Sequence, residues 1–244
     1  MSHKRVFMMR AIQRSFYKSG PSFAYIRHSL LNDRIKVLAC LLGVILPLAL
    51  FCVLADTIRN SGWLALERTI LWSLRVQTES LLGQFAVYLS MLVTVVSVGI
   101  LCYLLYRQLW RIALFWLCAV SGAAILGNIM KGLIQRARPE LWLDTPDTSF
   151  GFPSGHATHS MAIVIALLVL LRLSSWHKAV LFSGLLFAAL VGLSRMYLGY
   201  HYPSDILAGW MVALCWVMTL RVLFHHNYLT LHAGQGLSGH WWRK

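Results

Sequence analysis

The sequence predicts an all-α, polytopic membrane protein with six transmembrane helices and both termini in the cytoplasm. Two observations carry the fold class, and a third carries the orientation. Only 12% of the 244 residues are charged and 58% are hydrophobic, whereas soluble domains carry roughly 25% charged residues. Long uncharged runs recur along the chain, and the mean hydropathy is +0.65. The basic residues are unevenly shared between the connecting segments, which sets the direction of crossing.

Residues 1–36 form a basic arm holding eight Lys or Arg and no apolar core. Its length and mixed character exclude a cleaved signal peptide. Phe7, Met8, Ile12 and Phe16 recur at helical spacing, as in a helix lying at a membrane surface. The net charge of +14 reflects 22 basic against 8 acidic residues. So low a total charge argues against nucleic acid, and anionic lipid headgroups are the expected partner of the arm.

The membrane domain is expected over residues 37–220. The uncharged runs Val37–Ala55, Ser80–Tyr106 and Ile112–Met130 hold 19, 27 and 19 residues, against the roughly 17–25 needed to span. Ala157–Leu171, Ala179–Ser194 and Ile206–Leu220 are shorter, and reach bilayer length only if polar residues at one end sit at the interface. Pro47 is expected to bend the first span by removing an internal hydrogen bond. Gly122, Ala123 and Gly127, and again Gly184, Ala188 and Gly192, thin one helix face for close packing. Trp63, Trp72, Trp110, Trp142, Trp176 and Trp210 lie near the expected boundaries, as an aromatic belt requires.

Between the first two spans, residues 56–79 alternate Leu, Ile and Trp with Glu67, Arg68 and Arg75. They read equally as an amphipathic helix on the outer face or as a capping loop. Residues 221–244 form a tail whose His225, His226, His232 and His240 lack metal-ligand spacing. The five cysteines all fall in apolar runs without a CxxC pair, and are expected to be buried, unpaired thiols.

Fifteen of the 22 basic residues fall on the side of the two termini, and seven of the eight acidic residues on the other. By the positive-inside rule the termini face the cytoplasm. The outer face then receives four polar clusters from four different helix ends. Lys131, Arg136 and Arg138 follow span three; Ser154, Gly155 and His156 open span four. Ser194 and Arg195 end span five, and His201 and Asp205 precede span six.

Lys131, Arg138 and Arg195 supply three positive charges, Ser154 a hydroxyl, and Gly155 an unhindered amide at a helix start. Such a cradle suits a phosphoryl group. His201 and Asp205 are four apart and share a helical face. The carboxylate fixes one ring nitrogen and frees the other to attack phosphorus, while His156 protonates the leaving oxygen and then deprotonates water. A lone interfacial histidine usually just satisfies hydrogen bonds; it is the convergence that points to catalysis. His159, a turn deeper, faces either the site or a packing contact. Arg136 and Glu140 flank the cluster as solvated or substrate-gating residues. Tyr197, Tyr200 and Tyr202 either line a headgroup pocket or are ordinary interfacial tyrosines.

Lys131 to Pro139 reads K-x6-R-P, Pro153 to His156 reads P-S-G-H, and Ser194 to Asp205 reads S-R-x5-H-x3-D. These three blocks, in this order, resemble the type 2 phosphatidic acid phosphatase (PAP2) family, whose core is shared with vanadium haloperoxidases. The resemblance implies metal-free hydrolysis of lipid phosphate esters with no cofactor. His201 would be the nucleophile, Asp205 its orienting partner and His156 the general acid and base. Lys131, Arg138, Ser154, Gly155 and Arg195 would bind the phosphoryl group. Phosphatidic acid, phosphatidylglycerol phosphate and undecaprenyl diphosphate are all candidate substrates. The size and charge bias resemble a bacterial inner-membrane enzyme with a periplasmic site, though a eukaryotic endomembrane with a lumenal site keeps the same topology. A lipid phosphotransferase is the nearest rival; a haloperoxidase or a non-enzymatic lipid-binding protein fits less of the pattern.

Overall fold

The structure, a computed structural model, describes residues 38, 40–60, 63–74, 80–139 and 149–223. The basic arm, Glu140, Trp142 and the His-containing tail beyond residue 223 lie outside these. Among the described residues seven helices follow in order: α1 (Leu41–Arg59), α2 (Leu64–Ser73), α3 (Leu81–Tyr106), α4 (Trp110–Ile134), α5 (Gly155–Leu170), α6 (His177–Tyr197) and α7 (Pro203–Leu223).

Five of them, α1, α3, α4, α6 and α7, are long and apolar enough to cross a membrane, while α5 is a shorter apolar helix. Among the described residues the count of full-length spans is therefore five, where the sequence suggests six. The ends explain the difference. α6 extends its apolar run through His177 at one end and Arg195 at the other, and α7 takes in Pro203, Ser204 and Asp205. α5 gains only Gly155 and His156, because Ser154 adopts an extended conformation and caps it, accepting from the Ala157 amide; serine is a favoured residue there.

Pro47 does disturb the first span. The residues just before it, Leu41–Ile45, form a π-helical turn. A proline lacks the N–H that would bond the carbonyl four residues back, and its ring crowds that carbonyl. Residues 56–59 complete α1, and in the following α2 Leu71 is buried while Leu66 and Trp72 are exposed.

α5 is the central element, packed against α7, α6 and α4. Ala157, Ala162, Ile163, Val164 and Ala166 bury on several sides of it, which is why its sequence shows no polar face. Phe115, Trp116, Ile163, Ala166 and Val217 lie together in the main core. Two indoles in this apolar interior have their N–H groups satisfied: Trp116 donates to the Ser97 carbonyl at 3.2 Å and Trp216 to the Cys118 carbonyl at 3.0 Å. Large apolar side chains such as Leu42, Val53, Phe85, Val95, Ile125 and Phe182 point outward, the arrangement a lipid solvent permits.

The glycine faces behave as expected. A Cβ on Gly192 would stand 2.6 Å from Ile206 of α7, and one on Gly122 would meet the Trp216 indole at 2.5 Å. The cysteines are all free, but none is buried: Cys52 and Cys102 are exposed and the other three half-buried. In a chain surrounded by lipid, a thiol can leave water without entering the protein core.

Gly209 carries a tighter constraint that the sequence pattern did not flag. A Cβ there would lie 2.8 Å from the Ser154 carbonyl oxygen and 2.9 Å from Thr158 Oγ1, where backbone cannot yield cheaply. We predict that Gly209→Ala costs about 1–3 kcal/mol of stability through overpacking. Gly99→Ala serves as the control, since nothing lies within 4 Å of that site. The check is the thermal midpoint in detergent: a drop for the first variant and none for the second.

Candidate active site

The C-terminal ends of α4 and α6 and the N-terminal ends of α5 and α7 meet at one end of the bundle. α4 stops at Gln135, whose left-handed φ of 53° turns the chain into the extended segment Arg136–Pro139. α6 ends on Gly199, at φ 72°, with the Tyr200 amide donating back to the Arg195 carbonyl at 3.1 Å. That is the geometry of a glycine-terminated helix, and it delivers His201 just ahead of α7. The start of α5 is tied to the start of α7 by main chain alone: the Ser154 amide donates to the Asp205 carbonyl at 2.9 Å.

All eight residues singled out from the sequence lie at this end. Lys131 brings its Nζ to 4.0 Å from where a Cβ on Gly155 would stand, so its ammonium reaches the start of α5. Ser154 and Asp205 are fully buried, His201 almost so. His156 opens α5 within electrostatic range of Arg195, His201 and Lys131. Arg138 donates from Nη2 to Ser149 Oγ at 2.7 Å and from Nη1 to the Tyr200 carbonyl at 3.4 Å. Arg195 donates from Nη1 to Ser90 Oγ at 3.2 Å.

Two of the three tyrosines present their ring faces to arginines. Tyr200 has the Arg195 guanidinium 4.4 Å from its ring centre and that of Arg138 at 5.8 Å. Tyr202 carries Arg136 at 4.2 Å. Aromatic faces attract guanidinium groups, so the two residues flanking His201 orient the surrounding cations. Tyr197 instead pairs its hydroxyl with Ser80 at 3.3 Å.

Asp205 engages several groups at once. Its Oδ1 accepts from Arg136 Nη1 at 2.7 Å. Its Oδ2 accepts from the Tyr202 amide at 2.9 Å and faces His201 Nδ1 at 3.5 Å. At that distance the imidazole contact is electrostatic, and Nδ1 makes no hydrogen bond here. Contacts of this kind are often long without substrate and tighten when it binds.

Arg136 corrects an expectation. It is not a solvated flank: Nη2 pairs with Glu67 Oε2 at 2.5 Å while Nη1 bonds Asp205 and, at 2.6 Å, Ser204 Oγ. Glu67 of α2 is buried as well, and its Oε1 accepts from the Ser204 amide at 2.9 Å, satisfying an otherwise orphaned N–H at the start of α7. Sequence spacing offered no sign of this, since the partners stand 69 and 137 residues apart. Ser90 was missed for the same reason. A cavity of about 290 Å³ opens beside this group, walled by Trp63, Leu64, Arg68, Arg136, Arg138 and Tyr202. His159 lines a different cavity, of about 390 Å³, with Ser97 and Asn128 between α3, α4 and α5. Among the described residues no group of three or more His, Cys, Asp or Glu is placed to hold a metal ion.

Residues 112–228 match the family model described as the PAP2 superfamily. The chain is 32% identical to phosphatidylglycerophosphatase B of Bacillus subtilis, over 52% of this chain and 63% of that protein. It is 29% identical to an undecaprenyl-diphosphatase of Sulfolobus acidocaldarius, over 49% of this chain and 58% of that one. Both matches thus span less than two thirds of the relative's length. The fold is similar to the crystal structure of a transmembrane PAP2 type phosphatidylglycerolphosphate phosphatase from Bacillus subtilis, with a TM-score of 0.64, 23% identity, and coverage of 74% of this chain and 95% of that one.

The site has an electrostatic signature that needs no substrate to measure. Burial pushes the pKa of His201 below the usual 6.5, Asp205 pulls it back up, and Arg138 and Arg195 press it further down, with the net shift downward. Below about pH 6.5 the unfolded chain takes up this proton more readily than the folded one, so stability falls as pH falls through that window. We predict that the thermal midpoint drops between about pH 7 and pH 5, and that His201→Gln reduces this slope. An unchanged slope in the variant would show that His201 is not held neutral by the fold.

Proposed function

We propose that this chain, whose residues 112–228 match the PAP2 superfamily model, hydrolyses a phosphate or diphosphate ester of a membrane lipid through a phosphohistidine, without a metal. The observation that carries the proposal is the His201–Asp205 pair, set among three cations and the N-terminus of α5. Asp205 faces Nδ1, which leaves Nε2 of the neutral imidazole as the attacking atom. Nε2 forms a bond to phosphorus as the phosphorus–oxygen bond to the lipid breaks, and His156 gives a proton to the departing oxygen. Water then attacks the phosphohistidine, His156 takes its proton, and inorganic phosphate leaves. Lys131, Arg138, Arg195, Ser154 and the Gly155 amide hold the phosphoryl oxygens, where charge is greatest in the transition state.

The similar proteins named for phosphatidylglycerophosphate and undecaprenyl diphosphate chemistry support a lipid carrying a terminal phosphate, with phosphatidic acid as the third candidate. In the proposed topology α5 counts as a sixth crossing, residues 37–220 form the catalytic membrane domain, and 221–244 a cytoplasmic tail. The site then faces the periplasm of a bacterial inner membrane, while residues 1–36 lie in the cytoplasm against anionic headgroups. The support is the excess of basic residues beside the termini.

The test is phosphate release by detergent-purified protein from the three lipids, with EDTA throughout. We expect release from at least one of them, blocked by vanadate, which mimics the transition state. His201→Ala should abolish both turnover and phosphoenzyme. His156→Ala should lose about 10²–10⁴-fold, and Asp205→Asn should retain a measurable remnant from a poorly oriented imidazole. Unchanged turnover in His201→Ala would end the phosphohistidine reading, and magnesium-dependent activity would end the metal-free one. Phosphate recovered on a second lipid would assign a transferase instead.

A further inference from the structure

We infer that Glu67 and Arg136 are positioning residues: a buried ion-pair chain from α2 through Arg136 to Asp205 sets how firmly Asp205 holds His201. The inference rests on the proposed role of His201.

Three observations lead to it. Arg136 divides its fork between two carboxylates, Nη2 on Glu67 at 2.5 Å and Nη1 on Asp205 at 2.7 Å. Both carboxylates are buried, Glu67 at 3% and Asp205 at 0% exposure, so the charges act through little water and are weakly screened. Arg136 takes Oδ1 of Asp205, whereas His201 faces Oδ2 of the same group. The carboxylate is thus shared between a permanent cation and the imidazole. Glu67 and Asp205 more than offset the effect of burial on Arg136 and raise its pKa, so it stays charged.

The signs follow directly. Arg136 draws the charge of Asp205 away from His201 and disfavours the imidazolium. Glu67 draws Arg136 the other way and relieves that pull. Glu67 also fixes the start of α7 through the Ser204 amide, and Tyr202 braces Arg136 from its ring face. The other charged or titratable groups felt by His201 are Arg138 after α4, Arg195 of α6 and His156 of α5. None of these is altered in the variants below.

A pin that only held α2 in place would make either substitution equally harmful. A positioning chain makes them act in opposite directions on His201. In the full-length protein, ¹⁵N-histidine NMR would follow the His201 titration, assigned by its loss in H201Q. We expect the midpoint to rise in R136Q and to fall in E67Q, each by about one pH unit for charges removed at such short range. R136K should restore most of the wild-type midpoint. The acid limb of kcat/KM should move with the midpoint in each variant. Shifts of the same sign in both variants, or a lowered thermal midpoint with His201 unmoved, would overturn the inference. Should R136Q fail to fold, the sign in the near-isosteric E67Q decides alone. The titration needs no turnover, so a wild-type protein silent on every lipid phosphate would sink the proposed function and leave this test standing.

Discussion

The buried carboxylate of Asp205 is the point on which this end of the molecule depends. A fully desolvated anion is tolerated only when its lone pairs are taken up by good donors. Here those donors come from two places, the guanidinium that follows α4 and the amide of Tyr202 in the turn before α7, while the His201 ring faces Oδ2 at 3.5 Å without a hydrogen bond. The carbonyl of the same residue receives the amide that opens α5. Position 205 therefore joins α4, α5 and α7 and faces the imidazole proposed to react. Its place in the first turn of α7 adds the favourable end of a helix dipole.

Around that anchor the cations are held by neighbours that are themselves constrained. Arg195 is pinned from α3 by Ser90 and from the α6–α7 turn by Tyr200. Arg138 lies against the same tyrosine and against Ser149. Positive charges gathered this closely repel one another, and a fold that fixes them before an anion arrives has already met that cost. The close backbone approach at Gly209 belongs to the same design, since it lets α7 sit against the first turn of α5.

What was legible in the sequence was whatever the membrane makes conspicuous. In a chain this apolar, Lys131, His156, Arg195 and Asp205 stand out as polar residues at the ends of hydrophobic runs, and topology alone gathers them. The span boundaries were less legible, because helix ends are set by caps and turns: Ser154, Gln135 and Gly199 end or start helices at points hydropathy does not mark. Glu67 looked like one charge on a surface helix, and Arg136 like a neighbour of the important arginine. Their pairing is a long-range contact between two segments with no shared periodicity, and no local rule reads such a contact. The cysteines were misplaced for a related reason: apolar surroundings in a lipid-facing chain do not imply a protein interior.

The shortness of α5 has a consequence for how products part. Sixteen residues rise about 24 Å, roughly 6 Å less than the hydrocarbon thickness of a bilayer. A helix of that length cannot bring both its ends level with the two interfaces. If its capped end carries the proposed phosphoryl cradle, the reacting group lies below the headgroup plane, within reach of a lipid that stays in its leaflet. A lipid would enter and leave by lateral diffusion without being lifted from its leaflet, while the small anion released beside it would have only the aqueous exit. The two products would thus be sorted by phase, the membrane performing a separation that a soluble enzyme must achieve with moving parts.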